Sequence, residues 1–137
     1  MENKRLQIIF KVDAKLEPEE LSSLFKRSGI KRPFEDLPRL TRMIENSDVL
    51  ITAWDDDKLV GVARAITDFC YCCYLSDLAV NVEYQKMGIG RELVQMMRER
   101  IGEEVTLLLL ASPIAMDYYP RIGFDKINNG YMIPRKS

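Results

Sequence analysis

A single α/β domain is what this chain predicts, and three observations carry it. At 137 residues and 47% hydrophobic, the chain has enough apolar material for one core and too little length for two ordinary ones. Its apolar positions change period, from about 3.6 residues in some stretches to about 2 in others, so helices and strands are both encoded. No repeat, low-complexity tract or linker divides this order.

The first element is a strand over Arg5 to Val12, rich in Ile, Phe and Val with loose alternation. In "EPEELSSLFKRSGI", Pro18 suits a first helical position, acids fill the first turn, Leu21, Leu24 and Phe25 share a face, and Gly29 supplies the stop. After "KRPFED", a second helix follows from Leu37, Leu40, Met43 and Ile44 at helical spacing up to Asn46. The middle turns to strands: "DVLITAW" and "KLVGVARAITDF" flank a hairpin turn at "DDDK", and "CYLSDLAV" follows. Ile89, Leu93, Val94, Met97 and Ile101 then make an amphipathic helix that Gly102 ends. "EVTLLLLAS" is a continuous apolar run of the kind a sheet buries on both faces. A short helix over Pro113 to Arg121 leads to a strand at "GFDKI", and "NNG" is a hairpin-type turn before "YMIP".

Composition excludes several kinds of function. The formal net charge is -1, from 20 basic and 21 acidic side chains, which gives no global field to gather nucleic acid or an anionic membrane. No apolar run approaches the roughly 18 residues that span a bilayer, so a soluble cytoplasmic protein is expected. There is no histidine, which removes Ser-His-Asp triads, Cys-His pairs and His-containing zinc sites. Cys70, Cys72 and Cys73 lie together in "FCYCCY" without a CxxC pair or a fourth ligand; an extended backbone turns Cys72 and Cys73 to opposite faces. They are expected to be half-buried strand residues in a reducing compartment, and no metal is expected.

The stretch "QKMGIGREL" sets Gly88 and Gly90 between a strand ending at Val80 and the start of a helix. A helix start offers unpaired N–H groups and the positive end of a dipole, and a missing Cβ lets an anion come close. The spacing fits neither common phosphate signature: Leu93 stands where a dinucleotide fingerprint needs its third glycine, and no Gly-Lys-Ser/Thr follows. On spacing alone, a phosphate cradle and an ordinary turn are both open.

The longer stretch "LAVNVEYQKMGIGRELV" resembles the acyl-CoA binding segment of the GNAT superfamily of N-acetyltransferases, whose loop reads Gln/Arg-x-x-Gly-x-Gly/Ala; Gln85, Gly88 and Gly90 match it. Downstream, "YYPRIGF" matches that family's Tyr-x-x-x-Gly-Phe at Tyr119, Gly123 and Phe124. The two motifs occur in the right order around a helix and a strand, and the resemblance covers nearly the whole chain. It implies one domain over residues 1–137, with a central mixed, mostly antiparallel sheet flanked by helices in the order β-α-α-β-β-β-α-β-α-β-β.

The resemblance also implies acetyl-CoA as co-substrate and acetyl transfer to a primary amine, a small molecule before a peptide, by direct attack through a tetrahedral intermediate. Backbone groups of Leu78, Ala79 and Val80 would bond the pantetheine, with an N–H near Leu78 or Val80 polarising the carbonyl. The amides of Lys86, Met87, Gly88, Ile89, Gly90 and Arg91 would hold the pyrophosphate, and Lys86 and Arg91 would add local positive charge. Tyr119 matches the general acid that protonates the leaving thiolate; Tyr118 lies about 100° away around a helix and cannot serve the same point. The family's pantetheine-bonding Asn, seven residues before that tyrosine, is Ser112 here, and Pro120 marks a bend or end of its helix.

Without histidine, the base that takes the amine's proton is a carboxylate, water or bulk exchange. Asp77 is the leading candidate, through a water, with a structural acceptor role as its alternative. Glu35 and Asp36 would attract a cationic substrate, or stand as helix N-terminal acids. The competing functions are a non-catalytic acyl-CoA sensor or partner-binding module on the same fold, and a plain phosphate-binding domain. Either a monomer or a homodimer is compatible with the chain.

Overall fold

A computed structural model describes residues 7–137. Five strands, β1 (Ile8–Val12), β2 (Val49–Asp55), β3 (Lys58–Thr67), β4 (Cys72–Val80) and β5 (Thr106–Leu108), form one sheet in that spatial order. The first four pair antiparallel, and β5 joins β4 in parallel, so the sheet is mixed and mostly antiparallel as expected. The parallel pair needs a crossover, which is the helix α3 (Ile89–Ile101). The predicted first strand is present from Ile8 onward; its start at Arg5 lies outside the described residues.

Helices cover both faces. On one side, α3 lays Ile89, Leu93, Val94, Met97 and Ile101 against Val49, Ile51, Ala53, Ala63, Ala65 and Leu75. On the other, α1 (Pro18–Ser28) and α2 (Leu37–Glu45) bring Leu21, Leu24, Phe25 and Leu40 onto Leu50, Trp54, Leu59, Val62 and Ala79. With both faces covered, β2 is buried along nearly its whole length. The local signals at the helix ends operate as their chemistry suggests. Gly29 closes α1 in the left-handed conformation at φ 81°, and Asp36 caps α2 by accepting the Arg39 N–H at 3.1 Å.

Two bulges shape the sheet. Between Arg64 and Ala65 the register to β4 slips, with Arg64 opposite Asp77 and Ala65 opposite Leu75, so Ser76 is the extra residue of β4. Beyond that bulge, β4 has no strand partner on its outer side among the described residues, because β5 pairs only with Cys72, Cys73 and Tyr74. The two strands therefore part company, leaving a free β4 edge from Leu75 to Val80.

Four expectations need correction. The "EVTLLLLAS" run is not buried on both faces: Leu107 and Leu109 pack toward α3, while Leu108 and Leu110 are exposed. Among the described residues the sheet ends at β5, and the apolar cluster of α1 and α2 is built on β2, β3 and β4 and does not extend over the second face there. The helix over Pro113 to Arg121 is broken into a 3₁₀ turn (Pro113–Ala115) and a single-turn α4 (Tyr118–Arg121), which ends one residue past Pro120. Neither "GFDKI" nor "YMIP" forms a strand among the described residues, and Tyr131 and Ile133 are fully exposed, with no neighbouring strand to supply ladder hydrogen bonds. Cys70, expected in a strand, sits in the β3–β4 turn; there Asp68 Oδ1 accepts the N–H groups of Cys70, Tyr71 and Cys72 at 2.9, 2.8 and 3.1 Å.

Candidate active site at the splayed edge of β4

Leu78, Ala79 and Val80 lie on the free β4 edge, with Ala79 facing the α1–α2 side and Leu78 and Val80 packed toward α3. A strand edge of this kind presents unpaired N–H and C=O groups to any extended polar chain that lies along it. The chain then enters a 3₁₀ turn (Val82–Tyr84), capped by Asn81, whose Oδ1 accepts the Glu83 N–H at 2.9 Å. Tyr84 anchors that turn to the end of β2 through a 2.5 Å hydrogen bond to Asp55 Oδ2. The carboxylate raises the Tyr84 phenol above its usual pKa by accepting this bond.

The glycine loop follows. Lys86 and Gly88 both take positive φ, 70° and 82°, and an added Cβ at Gly88 would meet nothing within 4 Å. Glycine is thus favoured at this N-cap of α3 by conformation, and the space beside it is open to a ligand. Ile89 differs: its side chain is buried in the core and only its backbone can face an anion. Lys86, Met87 and Arg91 are exposed.

Gln85 closes the loop, donating from Nε2 to the Val80 carbonyl at 3.0 Å. Arg91 reaches across to α4, where its Nη2 donates to the Arg121 carbonyl at 3.1 Å. Gly90 has a different need for its missing side chain. A Cβ there would sit 2.5 Å from the Tyr118 hydroxyl and 3.8 Å from Val80 Cγ2. It is Tyr118, and not Tyr119, whose hydroxyl stands at the mouth between β4 and the start of α3.

Tyr119 packs edge-on against Phe124, ring centroids 5.5 Å apart, and against Tyr118 at 5.3 Å. Its carbonyl accepts the N–H groups of Ile122 and Phe124, both at 3.1 Å, which ties the motif's tyrosine to its Gly-Phe end. Burial raises the Tyr119 phenol above its usual pKa, Tyr118 adds to the rise, and the charge of Arg32 opposes it. The phenol is therefore protonated at neutral pH. Ser112 is exposed after β5 at the start of the 3₁₀ turn.

Asp77 is fully buried on the α1–α2 side, and both of its oxygens are engaged. Arg32 Nε donates to Oδ1, and Arg64 Nε donates to Oδ2 at 2.5 Å. Arg32, from the connection between α1 and α2, also donates from Nη2 to the Ser76 carbonyl at 2.7 Å. Arg64 donates from Nη2 to Ser76 Oγ at 3.0 Å. This cluster fastens the α1–α2 connection to the bulge where β4 leaves β5. Of the two acids suggested for that connection, Asp36 is spent on the α2 cap, and Glu35 is exposed.

Sequence reasoning overlooked Arg32, Arg64 and Asn81. The last carried a legible sign, since Asn two residues before a free N–H is an Asx turn. No group of three or more residues able to hold a metal occurs among the described residues, and no described helix is long and apolar enough to cross a membrane.

Residues 21–132 match the profile of the acetyltransferase (GNAT) domain, which is most of the chain. The chain belongs to the GNAT acetyltransferase family. Among curated GNAT relatives, it is 30% identical over 120 residues to the uncharacterized N-acetyltransferase ycf52 of Pyropia yezoensis, covering 81% of this chain and 66% of that protein. It is 26% identical to the chloroplastic GCN5-related N-acetyltransferase 2 of Arabidopsis thaliana, over 87% of this chain and 54% of the relative. The chain thus spans just over half to about two thirds of the length of these relatives. The fold agrees with solved GNAT structures. An acetyltransferase of Streptococcus pneumoniae superposes with a TM-score of 0.73 at 23% identity, covering 95% of this chain and all of that one. The aminoglycoside N-acetyltransferase AAC(6')-Iy, in complex with CoA, superposes with a TM-score of 0.71 at 15% identity over the full length of both.

Proposed function

We propose that the protein is an N-acetyltransferase that moves an acetyl group from acetyl-CoA to a primary amine, more suitably a small molecule than a peptide. The observation that carries this reading is the stretch of β4 edge that pairs with no strand among the described residues, running from the Ser76 bulge toward the left-handed glycine at the start of α3, with the Ser76 and Val80 carbonyls accepting side-chain hydrogen bonds from Arg32 and Gln85. An acyl-CoA has the matching parts in the matching order: an amide-bearing arm for the strand edge and a pyrophosphate for the helix start. In this reading the outward-facing backbone groups of Leu78 and Val80 bond the pantetheine, those of Ala79 between them facing β3, and the amides from Lys86 to Arg91 take the pyrophosphate. Lys86 and Arg91 supply charge, and Gln85 holds the loop against β4. Ser112 is left with at most a minor contact.

The amine nitrogen attacks the thioester carbon, forming the N–C bond, and collapse of the tetrahedral intermediate breaks the C–S bond. Tyr119 gives its proton to the departing thiolate, a role suited to a phenol that burial keeps protonated. Asp77 is better suited to anchoring Arg32 and Arg64 than to taking a proton, because both its oxygens already accept from guanidinium groups. The ammonium proton therefore leaves through water. A cytoplasmic setting fits the three free cysteines, two of them exposed.

The reading is tested by incubating the chain with acetyl-CoA and a panel of amines. Thiol release and N-acetylated product should appear in equal amounts. A chain that binds acetyl-CoA yet acetylates no amine would be a sensor on this fold instead.

A further inference from the structure

The cluster at the β4 bulge holds two positive charges against one negative. The Asp77 side chain is 0% exposed and that of Arg64 9%, whereas that of Arg32 is 24% exposed. Buried charges are costly unless compensated, and here one carboxylate faces two guanidiniums, leaving a formal surplus of one positive charge whose most accessible bearer is Arg32.

The donors of Arg64 are directed inward, to Asp77, to Ser76 Oγ and, at 3.3 Å, to the Met43 carbonyl. Arg32 has five N–H groups. Its Nε serves Asp77, Nη1 donates one to the Lys31 carbonyl at 2.6 Å, and Nη2 donates one to the Ser76 carbonyl at 2.7 Å. One hydrogen on each terminal nitrogen is left for an outside acceptor.

Position gives this surplus a use. Ser76 lies just past Tyr74, the last β4 residue paired with β5, so Arg32 stands where the two strands separate. A coenzyme with its pyrophosphate at Lys86 to Arg91 and its arm along Val80 to Leu78 points its acyl end toward that place. The charge of Arg32 is also felt at the Tyr119 phenol, where it opposes the rise that burial causes. Lys31 and Glu35, both exposed in the same connection, offset one another in formal charge, while Asp36 is committed to the α2 cap.

Resting on the acetyltransferase reading above, we propose that the acceptor is an amine that also carries an oxyanion group, a carboxylate or a phosphate, which Arg32 binds. A guanidinium offers an oxyanion paired N–H groups as well as charge, and it repels a polycationic acceptor. The acceptor class is thereby the opposite of the one that Glu35 and Asp36 suggest from sequence.

The test uses the full chain and matched pairs of acceptors: amino acids beside their decarboxylated amines, and aminoalkyl phosphates beside the corresponding amino alcohols, with a polyamine as the cationic case. The anionic member of a pair should be acetylated with kcat/KM about 10- to 100-fold higher, the range for a hydrogen bond to a charged group. The pair with the larger ratio tells carboxylate from phosphate. Arg32→Gln also removes a partner of buried Asp77, so the comparison is made within each pair: KM should rise by a larger factor for the anionic member than for its neutral counterpart, and Arg32→Lys should recover part of that difference. Preference for neutral or polycationic amines by the wild-type chain would overturn the proposal while leaving the acetyltransferase reading intact. So would an equal loss on both members of a pair in Arg32→Gln. Transfer to no amine at all would sink both.

Discussion

Replacing Asp77 with Asn separates an anchoring role from a chemical one. The side chain is fully buried between Arg32 and Arg64, which form their ion pairs with it and with no other acid among the described residues. Asparagine retains one acceptor oxygen but presents an NH₂ group to the second guanidinium, so the cluster loses its only carboxylate and gains a donor facing a donor. Removing one partner of a buried ion pair costs about 3–5 kcal/mol, against a total stability of about 5–15 kcal/mol for a typical domain. At this chain length, 1 kcal/mol corresponds to about 3–5 °C, so the melting temperature should fall by about 10–20 °C. Circular dichroism melts of both proteins at neutral pH, without ligand, give the answer. A melting temperature within about 2 °C of wild type, together with lost turnover, would refute the anchoring argument and restore Asp77 as a base.

Three further outcomes follow from other contacts. Tyr119→Phe should lower turnover by about 10²- to 10⁴-fold, the range for a positioned general acid, with acetyl-CoA affinity nearly unchanged by calorimetry. Because burial raises this phenol, its acid form persists through neutral pH and is lost only as pH rises through a value above the ordinary ~10; a Tyr119-dependent loss of rate centred between about pH 7 and 9 would contradict the assignment. Gly90→Ala should gain about 0.5–1 kcal/mol of helix propensity only when Tyr118 is also Ala, since in the wild type the new Cβ would meet the Tyr118 hydroxyl at 2.5 Å. Equal effects in both backgrounds, measured by urea unfolding, would show that the contact does not matter. Gly61→Val should destabilise by about 1–3 kcal/mol, because even a Cβ there approaches Ile89 Cγ2 at 3.1 Å and Leu93 Cδ1 at 3.2 Å, where α3 rests on β3. No change in urea midpoint would mean that the helix shifts at no cost.

What was legible in the sequence was mostly local. Gly29, Asp36 and the apolar spacing of α3 act within one or two helical turns, and each appears in the fold with its expected role or an allowed alternative. The paired glycine and tyrosine motifs marked the family because their spacing survives whatever the chain between them does. The Arg32 contact was out of reach for the opposite reason: it joins residues 45 apart and depends on a bulge at Ser76 that no composition rule sets. Arg64 and Asp77 were closer to legible, since each interrupts an apolar strand and the two strands are neighbours in sequence. Their pairing needed the register, which the bulge offsets. The carboxyl-terminal hairpin misled because "NNG" favours a turn regardless of whether strands exist to be joined. Tyr118 was set aside on helical geometry, yet it is the residue whose hydroxyl reaches the start of α3.

The central claim is that acetyl-CoA lies along β4 from Leu78 to Val80 with its pyrophosphate at Lys86 to Arg91. Backbone hydrogen exchange, followed with and without acetyl-CoA at about 100 times its Kd, tests it directly. Amides in residues 78–80 and 86–91 that exchange through local opening should slow by up to about 100-fold, while those of β1 that open locally should not change. Exchange unaltered in both segments, or protection confined to the groove between α1 and α2 near Ser22, Ser23 and Leu37, would contradict it.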